Sequence, residues 1–217
     1  LSEINVQLVR EFFELHQFHV LTHWPHEADT ARSSDAGSLI FIEHTSPEAR
    51  DAPEFLLRIE EVSLLHRAVV EVRAWHGDRF YPSVVENNAV LAHVAGREVQ
   101  ALARGVFGNP EFATILVISE LPQSHAPRQR ALQLLQGLGI DHILEFPTLL
   151  QGILQRISPH AGYAPSQTLQ MLRLLKRYNF IRRQQLEFSF PVDPTPLPTA
   201  PAVDVAIPVD DEESAED

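Results

Sequence analysis

The sequence predicts an α/β domain, a mixed sheet flanked by helices, with a further C-terminal helix and an acidic tail. Three observations predict it. A segment of helical spacing opens the chain and is followed by β-rich segments. The middle of the chain alternates helical periodicity with short continuous apolar runs, and the last 27 of its 217 residues change composition altogether.

Residues 3–17 place Ile4, Leu8, Phe12 and Leu15 at helical spacing, with Ser2 available as N-cap, and predict the first helix. Phe18–Trp24 is β-rich and ends at Pro25; after a polar stretch, Leu39–Ile42 reads as a second strand. A looser region with Pro47 and Pro53 leads to residues 68–75, AVVEVRAW, the clearest strand in the chain. Its alternation puts Glu71 and Arg73 on one face. From Asn88 to about Gly105, the apolar positions Val90, Leu91, Val94, Leu102 and Val106 predict one long helix, closed by Gly108-Asn109-Pro110. A βαβ unit follows: strand Phe112–Ser119, helix Pro127–Gln136, the turn Gly137-Leu138-Gly139 and strand Ile140–Phe146. Both strands are continuous apolar runs, as a sheet covered on two faces requires. Thr148–Ile157 then predicts a helix, and Ser166–Ile181 another with an arginine-rich end. These elements divide the chain into a core at 1–157, a basic helical extension at 158–190 and a Pro-rich acidic tail at 191–217.

The formal charge of −12 is unevenly distributed. The tail holds eight acids, no base and six prolines, a composition that cannot bury enough apolar surface to offset its ordering entropy. Residues 156–190 hold six bases against one acid, and residues 1–155 carry eleven bases against twenty acids. An acidic body weakens a nucleic-acid role without excluding it, because phosphate binding depends on local rather than net charge. The absence of cysteine removes disulfides, thiolate metal sites and cysteine nucleophiles together. No apolar run reaches the roughly 20 residues of a membrane helix and no signal-peptide pattern opens the chain, so a cytoplasmic protein without membrane partners is expected. Neither a Gly-rich phosphate loop nor GxSxG or HExxH occurs, which leaves those nucleotide-binding and hydrolase classes unsupported.

The order helix, three strands, helix, strand, helix, strand, together with Glu71-Val72-Arg73 on the third strand, resembles the restriction-endonuclease-like fold, the PD-(D/E)XK nuclease superfamily. The resemblance covers residues 3–157 as topology. It implies an Asp from the second core strand and Glu-x-Lys from the third. Two such carboxylates bind a hard divalent cation, usually Mg²⁺, that activates water for phosphodiester attack. Here the lysine position is Arg73, a planar delocalised donor unlike an ammonium, and Ser38 immediately precedes the second strand. The nearest upstream acid is Asp35; Glu43 lies at the strand's far end. Glu11 and Glu14 fall where the resemblance implies an additional helix-borne acid.

Two uses of Glu71 stay open at this level. It could belong to a partial Mg²⁺ site with Asp35 and Glu11, or it could neutralise Arg73 as a same-face pair. The altered lysine and aspartate positions favour a degenerate, non-cleaving domain that acts as a binding or scaffolding subunit with other proteins and has no cofactor. The alternatives are an active Mg²⁺-dependent nuclease and a nucleic-acid-binding remnant. For a nucleic-acid or protein partner the candidate residues are Arg173, Lys176, Arg177, Arg182 and Arg183 on the basic helix, whose apolar stripe Leu169, Leu172 and Leu175 equally suits docking on the acidic body. His16, His19, His23 and His26 straddle a helix end, a strand and a loop, a spacing that argues against convergence on a metal. His76 directly follows the charged strand and either lines the cleft of Glu71 or simply ends the strand.

Overall fold

The computed structural model describes residues 3–23, 39–46, 52–74, 76–77, 79–109 and 111–181. It is an α/β fold with a five-stranded mixed sheet flanked by helices. Helix α1 (Glu3–Leu15) leads into β1 (Phe18–His23), β2 (Leu39–His44) and β3 (Arg67–Arg73). After β3 come α2 (Pro82–Glu86), α3 (Arg97–Phe107), β4 (Ala113–Ile118), α4 (His125–Gly137), β5 (His142–Glu145), α5 (Phe146–Arg156) and α6 (Gln167–Arg177). The strands lie side by side in chain order. β2 runs antiparallel to both of its neighbours, β1 and β3, and β3, β4 and β5 are parallel. Antiparallel neighbours need only short connections, whereas each parallel step requires a crossover, here supplied by α3 and by α4.

Side-chain alternation along the strands divides the core by face. Ile40 and Ile42, Ala68, Val70 and Val72, and Ile115 and Val117 pack with Val9, Phe12 and Phe13 of α1 and with Leu149 and Ile153 of α5. The opposite face carries Leu39, Phe41 and Val69 against Val99 and Ala103 of α3, and Leu116 and Ile118 against Ala131 and Leu135 of α4. The sheet is therefore covered on both sides, which is why the parallel strands read as continuous apolar runs. α1 and α5 approach closely at Gly152, where an added Cβ would stand 2.6 Å from the Phe12 ring.

The long helix expected over residues 88–105 is instead two pieces, a 3₁₀ turn at Ala89–His93 and α3. The breaks have local causes. The Asn88 side chain accepts from Val90 N and starts the turn, and Gly96 adopts an extended conformation (φ −67°, ψ 163°) as the N-cap of α3. Of the apolar positions that predicted one helix, Leu91 and Val94 are buried and Val106 is exposed.

The described residues form one compact unit, so α6 packs within the same body as the sheet. Leu169 and Leu172 join the α1/α5 core, and Lys176 Nζ donates to the carbonyls of Leu154 (2.7 Å) and Ile157 (2.6 Å) at the end of α5. Those carbonyls belong to the last turn of a helix, which has no intrahelical donor to offer them. Among the described residues no helix is long and apolar enough to cross a membrane.

Candidate functional site

Glu71 and Arg73 stand near the carboxyl end of β3 and, as period two requires, on one face. Both side chains are 6% exposed, and Arg73 directs Nη2 (2.6 Å) and Nε (2.7 Å) at the same Glu71 oxygen, Oε1. Two charges removed from water need such a match, since burial of either alone costs several kcal/mol. The register partner of Glu71 on β2 is Leu39, the first residue of that strand, and on β4 it is Leu116.

The other acids proposed for a cation do not gather at this point among the described residues. Asp35 and Ser38 lie outside them; by sequence, Asp35 is four residues before Leu39. Glu43 registers with Arg67 and pairs with it at 2.6 Å; four residues of strand, about 13 Å, separate that position from Glu71. Glu11 is not brought to Glu71. α1 packs on the face of Ala68, Val70 and Val72, and Glu71, out of phase with those residues, belongs to the opposite face with Val69. Glu11 Oε1 accepts from Gln7 Nε2 (2.9 Å) and from the Ser166 hydroxyl at the start of α6, while Glu14 pairs with Arg10 on the surface. Among the described residues no three acids or histidines are grouped so as to hold a metal ion. The described residues therefore do not assemble the cation site that the resemblance implies: the Glu71 carboxylate already faces a guanidinium, and Glu11 is across the sheet.

Of the histidines, His16 is buried at the end of α1 and its Nδ1 donates to the Phe12 carbonyl at 2.7 Å. Burial pushes its imidazole down to about 4, against the opposing effect of that hydrogen bond, with Arg156 and His44 adding to the decrease. His23 packs edge-on to Phe41 on the other face of the sheet, and His26 is outside the described residues, so His16 and His23 do not share a site. The comparisons add no family to this geometry. No protein-family model, curated protein or solved structure matches the chain.

His76 lines a cleft of about 690 Å³, but not on the face of Glu71. The cleft opens outside the carboxyl ends of β3 and β4, between the start of α1 and the start of α5, on the α1/α5 side of the sheet. Buried Asn5 is its structural pivot: Nδ2 donates to the Ala74 carbonyl (3.0 Å) and Oδ1 faces His76 Nε2 (3.1 Å). Across the cleft, Arg79 Nε donates to Glu120 Oε1 at 2.8 Å. Asn5, Arg79, Tyr81 and Glu120 are absent from the sequence-level site. They come from three separate stretches of chain and belong to no motif; only His76, read as a strand-end residue, pointed toward the region.

The basic helix is partly committed to structure. Lys176 caps α5, Arg173 is half-buried with its Nε lacking a partner, and Arg177 is exposed; Arg182 and Arg183 lie outside the described residues. The outer side of α6 and its end expose Met171, Leu174, Tyr178 and Phe180, the last 79% accessible.

Proposed function

We infer that the chain is a degenerate nuclease-like domain that does not cleave and that serves as a binding subunit of a larger assembly. The observation that carries this is the buried Glu71–Arg73 pair, in which the carboxylate of the Glu-x-Lys position faces a permanently charged guanidinium instead of a metal ion. The element order helix, three antiparallel strands, crossover, strand, crossover, strand agrees with the topology on which the resemblance rests. The exposed apolar residues of α6, beside Arg177, favour a protein partner over bare phosphate, because phosphate contacts need accessible cations and Lys176 already holds α5.

Incubation of the full chain with double- and single-stranded DNA and RNA in Mg²⁺ or Mn²⁺ tests this. No cleavage above a metal-free control is expected. Metal-dependent cleavage that disappears in Glu71→Gln would overturn it and favour the active-nuclease alternative, with Asp35 as the second carboxylate. Binding to nucleic acid that weakens steeply with salt, and is lost on charge removal at Arg173 and Arg177, would favour the nucleic-acid-binding remnant.

A further inference from the structure

We propose that the cleft between α1, α5 and the ends of β3 and β4 binds a nucleobase, presented by a free nucleoside or by a single-stranded nucleic acid. Its place suits a ligand: open α/β sheets bind small molecules in the crevice outside the carboxyl ends of parallel strands. Its volume of about 690 Å³ lies inside the range of roughly 300–1,000 Å³ usual for such sites.

The chemistry of the walls selects the ligand class. Asn5 determines the state of His76. Its Nδ2 donates to the Ala74 carbonyl, so its Oδ1 is the acceptor, and His76 Nε2 must be the donor. In the neutral ring the lone pair is then on Nδ1. Arg79 is matched by Glu120, so the cleft carries little net charge and does not single out an anion. It nevertheless presents both kinds of hydrogen-bonding group: acceptors in the imidazole and the Glu120 carboxylate, donors in the Arg79 guanidinium and the Tyr81 hydroxyl. Apolar surface completes it. His76 stands edge-on to Phe146 with ring centroids 4.6 Å apart, and Leu8 and Leu150 line the same space. A flat, uncharged ring with donors and acceptors along its edge and two π faces matches those walls, which is how unpaired bases are recognised on proteins. The assignment does not rest on whether the Glu71 face cleaves.

The test follows the histidine imidazole nitrogens by NMR while the full chain is titrated with adenosine, guanosine, cytidine and uridine, and separately with a ten-nucleotide single-stranded oligomer. His76→Phe identifies the His76 signals. We expect its Nδ1 to shift with at least one nucleoside or with the oligomer; a response to the oligomer alone means that the base is read within a strand. Two variants tie the shift to the cleft. Gly77 lines the mouth, has no positive φ, and has open space where a Cβ would stand, so the backbone accepts a side chain there; Gly77→Trp, which obstructs the opening, should abolish the His76 shift. His76→Phe keeps a ring beside Phe146 and removes the acceptor; binding read on the bases' own proton signals should weaken about fivefold, the worth of one neutral hydrogen bond. A His76 Nδ1 signal unmoved at millimolar nucleoside and by the oligomer overturns the proposal, as does a shift that survives Gly77→Trp.

Discussion

Arg73 places two of its nitrogens, Nε and Nη2, on a single oxygen of Glu71, and both side chains are sealed between the sheet and the helices of one face. The pair is local in sequence, two residues apart on one strand, yet its burial makes it a core element. Removing one partner takes a short charge-assisted contact from a buried charge. Glu71→Gln or Arg73→Ala should each cost about 3–5 kcal/mol in chemical denaturation. Replacing both with leucine should restore much of that loss, and a double-mutant cycle measures the coupling. A double variant whose loss equals the sum of the two single losses would mean that the pair is not a unit.

His16 makes stability depend on pH in a defined window. Its folded value of about 4 is below the 6.5 of an exposed imidazole, so the unfolded state binds the proton more readily. The contribution is therefore fully present above about pH 6.5 and is lost as pH falls toward 4, by up to about 3 kcal/mol. Denaturation midpoints of the wild-type chain between pH 7 and 4 should fall more than those of His16→Phe, in which no group titrates at that position. Parallel curves would refute the assignment.

Gly152 is where α5 meets α1. A methyl group there would lie 2.6 Å from Phe12 Cε2 and 3.3 Å from His16 Cε1, closer than packed atoms allow. Gly152→Ala should lower stability by about 1–3 kcal/mol despite its better helix propensity, because overpacking outweighs a propensity gain of about 1 kcal/mol. A stabilised Gly152→Ala would show that the two helices can move apart freely.

Lys176 is the chain's sole lysine and ties α6 to the end of α5 through two carbonyls. Lys176→Met keeps the apolar stem and leaves those carbonyls without this donor. A loss of about 1–3 kcal/mol is expected, with faster amide exchange in α6. Acylation with an amine-selective ester should be slower at Lys176 than at a free lysine analogue; reaction at the free rate would contradict the docking.

Most of the strands and helices were legible because each has a strong local period. β3 is the clearest case: AVVEVR alternates, and the same alternation correctly put Glu71 beside Arg73. The break in the long helix expected after Asn88 was not legible, because Val90, Leu91, Val94, Leu102 and Val106 suggest one helix across an Asn88-capped turn and an extended Gly96. Periodicity reports which residues are buried, not whether the backbone between them is continuous. The cleft was almost invisible. Asn5 is a polar residue inside an amphipathic helix, 71 positions from His76, and nothing in either segment announces the other.

The sequence by itself determined that the chain is α/β, that Glu71 and Arg73 share a face, and that Lys176 is the single ammonium available from a side chain. These are consequences of composition and of the two-residue period of a strand. Only the tertiary structure decided which helix covers which face. That choice separates Glu11 from Glu71 by the thickness of the sheet and gives Glu11 to Ser166. The same choice brings Asn5 to His76, because packing of a helix on a sheet is set by contacts between segments remote in the chain, and no local pattern encodes them.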